Sequence, residues 1–221
     1  MAKYILFDID DTLFPSTEFS ALARKNALTA MIRLGIDKDH ETLSSALKSI
    51  IEEKGSNYPK HFDELCARLG VEMPAKYVAA AVAAYHDTKT SIQPFPKVPL
   101  TLLKLKEQGY GLFIATNGTS IKQWDKLIRL GIVVYFDRVF VSEDIGRTKD
   151  EGFFREVLKR LGAQASDCIM VGDREDIDIA PAKSAGIVTV RILKGRYADV
   201  PSKADFVAKA IDELPDILQR L

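Results

Sequence analysis

Acidic side chains gather at two points of the chain in a pattern suited to cation-assisted chemistry on an anion. One is Phe7-Asp8-Ile9-Asp10-Asp11-Thr12-Leu13 and the other Val171-Gly172-Asp173-Arg174-Glu175-Asp176-Ile177-Asp178, each following a short apolar run. Side chains alternate along an extended chain, so Asp8 and Asp10 leave it on the same side. Two carboxylates that close in a partly buried cleft both stay ionised only when a cation neutralises them; otherwise one takes a proton. All-oxygen donors favour a hard divalent ion, and Mg²⁺ in particular, which keeps waters and takes a few carboxylates. Read in isolation, the Asp-x-Asp-x-Thr segment equally describes acids that cap a turn.

A third segment, Ala115-Thr116-Asn117-Gly118-Thr119, places a hydroxyl and an amide before a glycine, where backbone N–H groups can turn toward an anion. That combination suits phosphate. Lys149, in a polar segment after another apolar run, supplies a positive charge, with Arg147 as a competitor for the role. Alone, Thr116 and Asn117 make an ordinary turn or helix cap and Lys149 a solvated lysine. Only the four features together point to a site.

Strands must carry these groups. Apolar runs at Tyr4 to Phe7, Gly111 to Ala115, Val139 to Val141, Ile169 to Val171 and Val188 to Ile192 suit strands buried on both faces of a parallel sheet. Helical patterns lie between them over Pro99 to Gln108 and Ser120 to Leu130, and through Phe153 to Leu161, each closed by a glycine. Strand and helix in alternation predict an α/β fold with a Rossmann-like parallel sheet flanked by helices, in which ligands bind beyond the carboxyl ends of the strands. The stretch from Phe14 to Ile92 breaks the alternation with four helical patterns and no strand, followed by the proline-rich Gln93 to Pro99. It predicts an inserted helical domain over residues 14–92, splitting the core into 1–13 and 93–221. Trp124 shares helical spacing with Ile121 and Ile128 and is assigned to the core in preference to substrate contact. His40, His61 and His86 lack metal-ligand spacing and read as surface or packing residues.

The whole-chain arithmetic narrows the partners. Of 221 residues 47% are hydrophobic, and 31 Lys and Arg balance 31 Asp and Glu, so global disorder is excluded and no net field draws in a polyanion. Nucleic acid and membrane are not expected as partners: there is no basic stripe, and no apolar run approaches a bilayer's length. With no signal-like start the chain is expected in the cytoplasm. Cys66 and Cys168 read as buried free thiols.

The four segments, in this order, resemble the motifs of the haloacid dehalogenase superfamily, whose members are mostly phosphatases, and the inserted helices are similar in position to that family's cap. The resemblance implies that Asp8 is a nucleophile forming an aspartyl-phosphate and Asp10 the general acid and base. It also implies that Thr116, with backbone N–H groups near Asn117 and Gly118, binds the phosphoryl group, and that Lys149 neutralises nucleophile and phosphate. Mg²⁺ would be held by Asp8, the backbone carbonyl of Asp10 and Asp173, with Asp178 supporting its waters and Asp176 competing for that place. Asp11 stands where many members have Gly, and Asp150 where Lys is commonly followed by Pro. The expected activity is Mg²⁺-dependent hydrolysis of a small phosphorylated metabolite by a monomer or homodimer. Phosphomutase and, less favoured because a halide needs no proton from Asp10, 2-haloacid dehalogenase are the alternatives within the family. A receiver-type phosphoacceptor is disfavoured, since its acceptor lies on the third strand and it lacks the inserted helices.

Overall fold

A computed structural model describes residues 3–56 and 58–220. The first half of the chain forms β1 (Tyr4–Phe7), α1 (Ser16–Arg33), α2 (His40–Lys54), α3 (His61–Arg68), α4 (Pro74–Lys89) and α5 (Val98–Glu107). Then come β2 (Gly111–Thr116), α6 (Ser120–Arg129), β3 (Arg138–Val141), α7 (Ser142–Ile145) and α8 (Glu151–Leu161). The chain ends with β4 (Cys168–Gly172), α9 (Ala180–Ser184), β5 (Val188–Ile192), β6 (Phe206–Ala208) and α10 (Leu214–Leu218).

Among the described residues the strands make one parallel six-stranded sheet in the order β3-β2-β1-β4-β5-β6. β1 therefore sits at the point where the strand order reverses, and the crevice of such a sheet opens there. Leu6, Phe113, Phe140, Met170 and the α8 residues Phe153 and Phe154 share one buried cluster. Burying side chains of this size contributes about 1.5–3 kcal/mol each. Pro99 lies in the first turn of α5, where its missing N–H costs nothing, so the proline-rich segment ends by starting a helix.

The chain divides into two compact units, Met1–Thr17 with Gln93–Leu221, and Glu18–Ile92. The second consists of α1 to α4 around its own core, with Leu28 and Met31 from α1, Leu43, Leu47 and Ile50 from α2 and Leu65 from α3 all buried. Among the described residues no helix is long and apolar enough to cross a membrane.

Two expectations need correction. The sheet has a sixth strand, β6, paired through Val190↔Phe206; three residues in a polar stretch are too few to show a periodic pattern. α6 also turns a different side inward. Gln123, Leu127 and the following Leu130 are buried, whereas Ile121 is 84%, Ile128 63% and Trp124 40% exposed. Its apolar residues lie on two sides, and the buried one is set by what the polar Gln123 bonds to.

Candidate active site

Register brings the acidic and hydroxyl segments level. Phe7 is paired with Ile114 on one side and Val171 on the other, so Asp8, Thr116 and Asp173 emerge together at the strand ends. The Asp8 N–H still donates to the Val171 carbonyl at 2.9 Å, which fixes its backbone as part of the ladder. Beyond it the chain turns at Asp11, whose φ of 53° lies in the left-handed region that Asp tolerates better than most residues with a Cβ. Its carboxylate accepts bonds from the Thr17 N–H at 2.9 Å and the Thr17 hydroxyl at 2.5 Å, so an Asp serves at a glycine-like position.

Asp178 reaches the same place by another device. Glu175–Ile179 forms a π-helical turn, a form frequent at functional sites, and the Arg174 N–H donates to the Asp178 carboxylate at 3.0 Å. Gly172 is required beneath it, since a Cβ there would stand 2.6 Å from the Asp178 side chain. Asp176 goes elsewhere, exposed and paired with Arg174.

Lys149 joins the groups. Its ammonium donates to Asp8 at 2.5 Å, to Asp178, and to the Ala115 carbonyl at 3.3 Å, and the side chain is buried. Asp150 follows as the N-cap of α8, accepting from the Phe153 N–H at 2.8 Å, which replaces a proline's control of the helix start. Arg147 is exposed and bound to Asp150, away from this cluster. Asn117 is a brace: its side-chain oxygen accepts from the Lys149 N–H at 2.8 Å. The Gly118 N–H donates to the Ser142 hydroxyl at 2.9 Å, so in this structure it is already engaged. Thr116, at the end of β2, is buried beside them.

Asp8, Asp173 and Asp178 each offer an oxygen within 4.8 Å of the others, a group able to hold a metal ion. Burial pushes the Asp8 carboxyl up to about 7 even though Lys149 pulls it down, and the negative charges of Asp178 and Asp10 add to the rise. Burial, then Asp8 and Asp178, push Asp173 up to about 9. Burial works against the Lys149 ammonium, but Asp178 and Asp8 outweigh it and raise its pKa. Fully ionised, the three carboxylates against one ammonium leave two negative charges, and a divalent cation with oxygen preference fits that deficit.

The Asp10 side chain does not join this trio. Partly exposed, it is bound through both oxygens to Lys126 of α6, at 2.6 and 2.8 Å. Asp8 and Asp10 are each met by a separate lysine, Lys149 and Lys126. Sequence reading missed four residues: Ser142, Gln123, Lys126 and Arg191. Arg191 is fully buried on β5 and donates to the Asp173 carbonyl at 2.9 Å. A charged residue inside the apolar run Val188 to Ile192 was a visible signal, as was a serine immediately after β3. Lys126 gave none, its partner lying 116 residues away.

Comparison with known proteins adds to this geometry. The haloacid dehalogenase-like hydrolase family model matches residues 5–192. Glyceraldehyde 3-phosphate phosphatase of Methanopyrus kandleri is 46% identical over 220 residues, 98% of this chain and 92% of its own length. The protein of that name from Methanocaldococcus jannaschii is 44% identical, across 100% of this chain and 99% of its own. Among solved structures, a HAD phosphatase from Thermococcus onnurineus superposes with a TM-score of 0.68 at 26% identity, covering 98% of this chain and 97% of that one.

Proposed function

Given that the chain belongs to the haloacid dehalogenase-like hydrolases and is a phosphoric monoester hydrolase, we propose that it removes phosphate from a triose phosphate such as glyceraldehyde 3-phosphate, through an aspartyl-phosphate on Asp8. The observation that carries the mechanism is the buried group of Asp8, Asp173 and Asp178 around the Lys149 ammonium. The substrate is supported by the two relatives of that name, which match nearly the whole chain.

Asp8 is the attacking carboxylate. Its oxygen forms a bond to phosphorus as the ester P–O bond breaks, and the Asp10 carboxyl gives a proton to the departing oxygen. Asp10 then takes a proton from the water that attacks phosphorus, the Asp8–phosphorus bond breaks, and phosphate leaves with Asp8 restored. Lys149 keeps the two anions from repelling each other and stabilises the equatorial oxygens in flight. Thr116 and backbone N–H groups of the segment after β2 orient the phosphoryl group. Asp8, Asp173 and the Asp10 carbonyl would hold Mg²⁺, with Asp178 supporting its waters; when bound, the ion supplies Lewis-acid stabilisation of the transferring group. The helical unit Glu18–Ile92 is assigned the choice of substrate, since the core groups address only the phosphoryl moiety.

Phosphate release from a panel of small phosphomonoesters headed by glyceraldehyde 3-phosphate tests this reading. Mg²⁺-dependent release, abolished by EDTA and by Asp8→Asn, is expected, with the triose ester among the best substrates. Release that persists in Asp8→Asn would overturn the mechanism, and indifference to the triose ester would overturn the substrate.

A further inference from the structure

Lys126 has no part in the mechanism above, yet its ammonium meets both oxygens of Asp10, at 2.6 and 2.8 Å. A pair of exposed flexible side chains would contribute little. This lysine is different: its side chain is only 18% exposed, and the helix that carries it is tied to the site. Gln123, one turn before it on the same side of α6, is buried and donates to the Asn117 carbonyl at 2.8 Å. Gly118 has a φ of 134°, and a Cβ on it would stand 2.5 Å from the Gln123 amide, so the close seat of α6 depends on glycine. The same Asn117 accepts from the Lys149 N–H, and Lys149 binds Asp8. Asp10 is thus joined through Lys126 and α6 to the frame that holds the nucleophile, independently of the chain that leads to it from β1.

We propose that Lys126 is a positioning residue for Asp10, clamping both of its oxygens so that the carboxyl that exchanges a proton stands at the leaving oxygen. The assignment rests on the reading of Asp10 as acid and base given above. A displacement of about 1 Å at such a group can cost about 100-fold.

The test compares Lys126→Met, Lys126→Gln, Lys126→Arg, Asp10→Asn and the double variant Asp10→Asn with Lys126→Met, each checked for folding by thermal melting. Glyceraldehyde 3-phosphate has an alkoxide leaving group that needs a proton; the nitrophenolate of p-nitrophenyl phosphate leaves without one. Lys126→Met and Lys126→Gln are expected to lower kcat on the triose ester about 10- to 100-fold with KM within about twofold. Lys126→Arg should recover most of the loss. Nitrophenolate release in a single turnover, with enzyme in excess, should stay at the wild-type rate. In the Asp10→Asn background the lysine substitution should cost nothing more. An equal loss in that background, slowed nitrophenolate release, or unchanged kcat in the lysine variants would overturn the assignment while leaving Asp10's role intact. Full activity in Asp10→Asn would overturn both.

Discussion

At the residue scale the site is a balance of buried charge. Burial pushes the Asp8 carboxyl up to about 7 and that of Asp173 up to about 9, above the unfolded value of about 3.9. Between those limits the folded protein holds more protons than the unfolded chain, so stability must fall as pH rises. In EDTA the melting temperature is therefore expected to drop from pH 5 to pH 9. Mg²⁺ should restore it, and more strongly at the higher pH, where protons no longer compete for the oxygens. A flat profile in EDTA would contradict the charge balance. Lys149→Met leaves the three carboxylates without their ammonium. It should lower kcat by about 100- to 1,000-fold and, without Mg²⁺ at pH 8, destabilise the fold by about 3–5 kcal/mol in denaturant melts.

At the element scale, connections between segments hold the site as firmly as the strands do. Arg191 on β5 donates to the carbonyls of Asp173 at 2.9 Å, Tyr197 at 2.6 Å, Val200 at 2.8 Å and Pro201 at 3.1 Å, tying the loop that carries Asp173 to the one after β5. Arg191→Met strands those acceptors in the interior and should cost about 3 kcal/mol or more by chemical denaturation. Lysine should not rescue it, because one ammonium cannot reproduce the planar fan of donors. A loss under about 1 kcal/mol would show the bonds to be incidental. The N-cap of α8 is a milder case: Asp150→Ala should cost about 1 kcal/mol. What could be read in advance follows the same division. The central strands and the acids at their ends were legible because apolar runs and local spacing carry them. The inward side of α6, the three-residue β6, and the Lys126–Asp10 and Arg191–Asp173 bonds were not, since each depends on a partner distant in sequence. The five-residue spacing after Asp173 already favoured Asp178 over Asp176, whereas the π-helical turn and the space left by Gly172 that seat the Asp178 carboxylate were not legible.

At the scale of the whole molecule, the two units have separate cores and are joined by the chain at Thr17–Glu18 and Ile92–Gln93. Leu43, fully buried in the helical unit, serves as a probe. Leu43→Ala should cost that unit about 2–5 kcal/mol and raise hydrogen exchange in α2 and α3 while β1 and β4 keep their protection. Equal loss of protection in both units would show that they unfold as one. The relatives place the chain among phosphatases, and the proposed mechanism divides the reaction into two transfers at Asp8. The most direct measurement is to quench Asp10→Asn in acid during turnover of p-nitrophenyl phosphate, whose leaving group needs no proton, reduce the trapped acyl phosphate with borohydride, and locate the modified residue by peptide mass spectrometry. The account predicts homoserine at position 8 and nowhere else. Modification at another carboxylate, or none while phosphate is still being released, would contradict it.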